Sequence, residues 1–206
     1  MRLQLTDFAK VLVLEGLPCC GKSSLARRVA STFETSSCPE IVTKTRHHLS
    51  LGRKGAQDND HLKYQIICQS AKPILVDRYF YSTIAYEAAA LSEPLSADII
   101  LRIAAELKVQ EFAIEHTVIV WKPDINLSLE RIALDKHQSR SSLWSNKLFL
   151  ERFAQSYLIM FDCAVISLIT RYCSDVVWVE DVNAFEMASR NLGVVPPYFD
   201  RSSGYP

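Results

Sequence analysis

The stretch from Val11 to Leu25 reads VLVLEGLPCCGKSSL: an apolar run, a glycine loop and the opening of a helix. Gly16 and Gly21 bracket four residues and are followed by Lys22 and Ser23, which satisfies G-x-x-x-x-G-K-[ST] without a mismatch. Each part of this pattern has a physical task. Glycines allow the backbone conformations that turn successive N–H groups onto phosphate oxygens, and a helix starting near Lys22 adds the positive end of its dipole. The residues expected to form the cradle are Gly16, Leu17, Pro18, Cys19, Cys20, Gly21, Lys22, Ser23 and Ser24. Lys22 is expected to reach the outer phosphates and Ser23 to offer its hydroxyl to Mg²⁺. A strand, turn and helix assembled by chance would leave Lys22 a surface lysine, but both flanks agree with the motif.

Working outward, Leu25, Val29 and Phe33 recur at four-residue spacing, so Ser23 to Phe33 reads as the helix that follows the loop. The expected strands are about Lys10 to Glu15, Glu40 to Lys44, Ile74 to Val76, Thr117 to Trp121 and Val176 to Val179. Helical patterns cover Asp60 to Ala71, Ser82 to Leu91, Ser96 to Ile114, Asn126 to Leu134, Lys147 to Tyr172 and Ala184 to Leu192. Thr45 to Asn59 shows no clear period and reads as a surface loop. Asp135 to Asn146 is polar and breaks the pattern. Short apolar strands alternating with helices imply an α/β fold: a five-stranded, mainly parallel sheet with helices on both faces, binding ligands at the carboxyl ends of its strands. Residues 1–193 are expected to form one domain with a small lid at about 131–146, and 194–206 a Pro-, Gly- and Ser-rich tail. There is no internal repeat.

Composition narrows the function classes. The chain has 206 residues with equal numbers of basic and acidic side chains, so no nucleic-acid or membrane-surface footprint is expected. Six cysteines show neither C-x-x-C pairing nor the density of a disulfide scaffold, which points to a reducing compartment, the cytoplasm. The first ten residues lack the apolar core of a secretory signal. Tyr157 to Ile169 is strongly apolar, but Asp162 interrupts it and it is too short to span a bilayer; it reads as a core helix.

A second constellation stands at the end of the third strand. Asp77 follows Ile74, Leu75 and Val76, where an acidic side chain can face the loop of the first strand and bind Mg²⁺, and Arg78 adds a permanently charged fork. By itself an Asp-Arg pair at a strand end reads equally well as a turn with an ion pair. An upstream phosphate loop favours the functional reading.

With EGLPCCGKSSLA, VDRYFYSTIAYEAA, and ERIALDKHQSRS followed by ERFAQSYL, the chain resembles thymidylate kinase and its relatives among the phosphate-loop nucleoside and nucleotide kinases. The loop motif is general, whereas D-R-[YH]-x-x-S-x-x-A-Y discriminates far better; Asp77, Arg78, Tyr79, Ser82, Ala85 and Tyr86 fill it. The resemblance implies ATP and Mg²⁺, with Ser23 and Asp77 on the metal side. It makes Arg78 a clamp on donor and acceptor phosphates and places Ser82 and Tyr86 in the acceptor site. It also puts a lid of arginines between Arg131 and Arg140; Arg140 is the first choice for stabilising charge on the transferred group, then Arg131, with Lys136 behind them. A solvated basic loop is the alternative reading of that stretch. Lys22, Asp77, Arg78 and Arg140 are thus the expected catalytic set. The implied partner is a nucleotide or nucleoside, with no nucleic acid or membrane, and a homodimer is compatible with the resemblance.

The chain also departs from that family's pattern. Pro18 stands where an Asp usually holds the sugar hydroxyl, and Lys44, Thr45 and Arg46 replace Arg-Glu-Pro after the second strand. NDHLKYQIICQS lacks the arginine that faces the thymine base. An acceptor hydroxyl calls for a carboxylate base near this region, whereas an acceptor phosphate calls for cations. Lys44 and Arg46 therefore favour a nucleoside monophosphate as acceptor. A deoxynucleoside or other small-molecule kinase is the runner-up, with an inactive nucleotide-binding relative as a further alternative. A GTPase is disfavoured, because Asn146-Lys147 is followed by Leu148 and Phe149 and not by the spacing of N-K-x-D.

Of the remaining residues, Cys19 and Cys20 read as loop fillers more readily than as a redox site, and His47 and His48 lack partners at metal-ligand spacing. Trp121 and Trp144 are candidates for stacking on a base, Trp121 reading better as core. Arg152 reads as structural.

Overall fold

The structure, a computed structural model, describes residues 11–23, 40–42, 52–70, 74–134, 142–181, 183–185 and 187. Five strands, β1 (Val11–Glu15), β2 (Glu40–Val42), β3 (Ile74–Asp77), β4 (His116–Trp121) and β5 (Cys173–Val179), form one sheet in the order β2-β3-β1-β4-β5. Every pairing is parallel. Val13 lies opposite Val76 on one side and Val118 on the other, so the apolar centre of β1 is walled in by two equally apolar strands. All five residues of β1 and all four of β3 are buried, as expected where helices cover both faces.

Because β1 is central, with β3 and β2 on one side and β4 and β5 on the other, the crevice at its carboxyl end is where a doubly wound sheet leaves room for a ligand. The glycine loop occupies this place. Helices α1 (Gly52–Gln69), α2 (Phe80–Ala90), α3 (Ala97–Glu106), α4 (Ile125–Leu134), α5 (Lys147–Met160) and α6 (Cys163–Ile169) complete the described layers. Aromatic side chains fill much of the space between α2 and α5: Tyr86 meets Trp144 and Phe149, Phe149 leads to Phe153, and Phe153 contacts Tyr157 edge-on with 5.0 Å between centroids.

Three helix expectations need correction. The long helix expected from Lys147 to Tyr172 is two, α5 and α6, bent by 87° at the break. Asp162 is the cause: its carboxylate accepts from the Ala164 N–H at 2.9 Å and starts a new helix, an N-cap arrangement that competes with continuation of the old one. The helix expected from Ser96 to Ile114 stops at Glu106, since Lys108 adopts φ 54° and the chain turns back through a short 3₁₀ segment that buries Val109 and Phe112. The helix expected from Asp60 begins earlier, at Gly52, inside the stretch read as a loop. Its buried face carries Asn59, Asp60 and Lys63 beside Ile67, so its period is polar and a search for apolar spacing misses it.

No single helix among the described residues is long and apolar enough to cross a membrane. The tail at 194–206, the lid residues at 135–141, and His47 and His48 lie outside the described residues.

Candidate active site

Gly16 has φ 138° and Gly21 φ 98°, values that side-chain-bearing residues avoid, and between them Cys19 turns the chain with φ 58°. The loop leaves the buried end of β1 and enters a helix at Lys22 and Ser23. Lys22 is folded under its own loop, with Nζ donating to the carbonyls of Gly16 at 3.2 Å and Leu17 at 2.6 Å and to Cys20 Sγ at 3.1 Å. Burial pushes the Lys22 pKa down, and the nearby Arg78 cation adds to the effect.

Ser23 and Asp77, 54 positions apart, are brought together: the Ser23 hydroxyl donates to Asp77 Oδ2. Burial by itself would raise the Asp77 pKa, but the Ser23 hydrogen bond and the cations Lys22, Arg78 and Lys63 outweigh it and hold the carboxyl below its usual range. A hydroxyl and an ionised carboxylate in contact are hard oxygen donors of the kind Mg²⁺ takes alongside phosphate oxygens and water, so this pair fits the metal expected of the loop. Among the described residues no group of three or more His, Cys, Asp or Glu side chains has metal-holding geometry.

Arg78 also departs from ordinary backbone, with φ 63°. A non-glycine residue held there carries a cost on the order of 1–3 kcal/mol and persists only where its surroundings fix it. They do so from several sides. Its N–H donates to the Leu14 carbonyl at 3.0 Å, its Nη1 donates to Ser82 Oγ at 3.0 Å, and its guanidinium lies 5.9 Å from the centre of the Phe153 ring. Lys63 Nζ donates to the Asp77 carbonyl at 2.8 Å and also to that of Arg78. Burial lowers the pKa of Lys63, against the attraction of Asp60, Asp77 and Glu15.

Glu15 is the residue that sequence reasoning passed over. It ends β1 with no exposed surface, and its carboxylate accepts from the Tyr79 N–H at 2.7 Å, the Ser82 hydroxyl at 2.5 Å and the Tyr157 hydroxyl at 2.8 Å. It therefore ties the strand before the loop to the start of α2 and to the last turn of α5. The available signal was a charged residue closing an otherwise apolar strand. Together, Glu15, Asp60 and Asp77 balance Lys22, Lys63 and Arg78 in one buried region.

Ser82, expected to line the acceptor site, is buried with its hydroxyl engaged by Glu15, Arg78 and Tyr157. Tyr86 is partly buried against Trp144 and Phe149. Trp144 belongs to that aromatic packing, and Trp121 brings its backbone up to Gly16. Arg131 donates to the Cys19 carbonyl at 3.1 Å, so the end of α4 touches the loop. Arg152 binds the carbonyls of Ala88, Ala89 and Glu93 and closes the end of α2, a structural task. Ser24, Lys44, Arg46, Lys136 and Arg140 lie outside the described residues.

No protein-family model matches the chain. It is similar to the thymidylate kinase of Xanthomonas campestris pv. campestris strain B100, 28% identical over a 111-residue alignment that covers 44% of this chain and 49% of that relative. The thymidylate kinase of strain 8004 matches with the same figures. The chain thus spans about half the length of the curated relatives it matches. Among solved structures it is similar to deoxyadenosine kinase from M. mycoides with bound dATP, at a TM-score of 0.62 and 14% identity, covering 89% of this chain and 99% of that one. The same enzyme with bound dCTP gives a TM-score of 0.56 at 15% identity over 90% of this chain and 100% of that one. The fold is that of a phosphate-loop nucleoside or nucleotide kinase.

Proposed function

We propose that this chain transfers the γ-phosphoryl group of ATP to a nucleoside monophosphate, in the manner of a thymidylate kinase. The observation that carries the reading is the convergence of Lys22, Ser23, Asp77 and Arg78 at the carboxyl ends of β1 and β3, with the Ser23 hydroxyl on the Asp77 carboxylate. An acceptor phosphate oxygen attacks the γ-phosphorus, a new P–O bond forms, and the bond to the β–γ bridging oxygen breaks as ADP leaves. Lys22 leaves its loop carbonyls to take the outer phosphates of ATP, and Arg78 meets charge on donor and acceptor. Ser23 and Asp77 would hold the Mg²⁺, which would supply neutralisation of the phosphate oxygens. Lys44 and Arg46 are assigned to the acceptor phosphate. The stretch from about 131 to 146 acts as the lid that delivers Arg140, a role supported by the contact of Arg131 with the loop.

The thymidylate kinases among the relatives support a phosphorylated acceptor, and the deoxyadenosine kinase neighbours give a deoxynucleoside kinase as the second reading. Purified protein with ATP and Mg²⁺ is tested against nucleosides and nucleoside monophosphates, pyrimidine deoxynucleotides first. Higher kcat/KM on a monophosphate than on its parent nucleoside is expected. Faster transfer to nucleosides moves the assignment to the second reading, and no acceptor-dependent turnover of ATP at all removes both.

A further inference from the structure

The carbonyls of Asp77 and Arg78 both meet the ammonium group of Lys63, which α1 supplies. Lys63 is 2% exposed, and no requirement of packing explains a charge at that place, since methionine has similar length and no polar head. What a lysine supplies and methionine does not is a set of N–H donors, and two of them go to adjacent carbonyls on either side of the φ 63° turn at Arg78. Neighbouring Asp60 is committed to the Thr83 hydroxyl at 2.7 Å, so the buried polar face of α1 is joined to α2 as well as to the end of β3.

We propose that Lys63 is a positioning residue for phosphoryl transfer: by holding both carbonyls it keeps the chain in the left-handed turn at Arg78, and so directs the Asp77 carboxylate to Ser23 and the Arg78 guanidinium to Ser82. The inference rests on the reading above that Asp77 and Arg78 act in the reaction. It gives the cation of NDHLKYQIICQS a task in the backbone of the site, not in recognition of a base.

Two variants test it. Lys63→Met removes every donor at nearly constant length, and Lys63→Gln leaves an amide able to reach one carbonyl. The first measurement is amide hydrogen exchange at Arg78, Tyr79 and Ser82, whose N–H groups are bonded to Leu14, Glu15 and Tyr79. Exchange there is expected to rise at least about tenfold in Lys63→Met, and less in Lys63→Gln, relative to the amides of Val13 and Val118 in the same protein. The second is steady-state kinetics, where kcat falls by about 10- to 100-fold while the KM for ATP changes less than about threefold, because the glycine loop is untouched. Exchange at residues 78, 79 and 82 that is unchanged, or that rises no more than at Val13 and Val118, overturns the proposal. Failure of both variants to fold overturns it too, in favour of a role in stability. Wild-type protein inactive on every acceptor removes the kinase reading alone, and the exchange result then still decides whether Lys63 holds the turn.

Discussion

The backbone of Trp121 stands so close to Gly16 that a β-carbon added to the glycine would lie 2.8 Å from Trp121 Cβ and 3.0 Å from its carbonyl oxygen. The first position of the loop motif is therefore restricted twice, by φ 138° and by the end of β4, whereas Gly21 at φ 98° has open space where a β-carbon would go.

Gly21→Ala should bear only the backbone cost, about 1–3 kcal/mol. Gly16→Ala adds a steric conflict with atoms that cannot rotate away, roughly 1–3 kcal/mol more if it behaves as an overpacked site. Urea unfolding of the two variants should separate them by that difference. Equal losses would show that β4 yields to the new methyl group without resistance.

The carboxylate of Glu15 makes a second test. Tyr157→Phe removes one donor and leaves the Tyr79 N–H and Ser82 in place, so a loss of about 1–3 kcal/mol is expected. Glu15→Gln keeps the shape but removes the charge and puts an NH₂ group against donors. With the Arg78 cation nearby, roughly 3–5 kcal/mol is the cost to expect of a buried charge losing its counterpart. Denaturant titrations that rank Tyr157→Phe as the more damaging change would remove Glu15 from the centre of the network.

The sequence showed most where apolar character and punctuation coincide. The apolar runs of β1, β3 and β4 end at Gly16, Asp77 and Trp121, and these ends locate the site. It showed least where polar groups are buried. Asn59, Asp60 and Lys63 form the inner face of a helix whose outer face is also polar, so no hydrophobic period marks it. Glu15 is polar in type and core in position, and only the three donors from distant parts of the chain give it a reason to be there. The break at Asp162 was visible as an interruption, but its consequence, an N-cap and an 87° bend, depends on a contact two residues on.

Asp77 carries an acid-stability prediction. Its folded pKa lies below the ordinary value because Ser23, Lys22, Arg78 and Lys63 together favour the anion more than burial disfavours it. The unfolded chain then takes up the proton first as pH falls. The stabilisation is complete above the unfolded aspartate value of about 3.9 and is lost as pH drops through the lower folded value. Melting temperatures followed from pH 6 downward should fall more gently in Asp77→Asn than in wild type over the lower part of that range. Parallel curves would mean that other carboxyls govern the acid limb.

Lys22 offers the clearest separation of fold from chemistry. The residue is 6% exposed and its ammonium is bound to carbonyls of its own loop, so the folded protein has already withdrawn this charge from water, and burial lowers its pKa accordingly. Lys22→Ala removes that desolvation along with the three hydrogen bonds. The effects oppose each other, and a net change within about 1 kcal/mol is expected if the released carbonyls find water. Under the kinase reading the same ammonium meets charge that grows on the phosphate oxygens during transfer, a contact worth on the order of 10²-fold or more in kcat. Urea midpoints near the wild-type value with kcat at least about 10²-fold lower are therefore the expected pair of results. Wild-type turnover in Lys22→Ala would mean that this lysine serves the loop and not the reaction; a large fall in stability would mean that its three loop contacts are what keep the cradle folded.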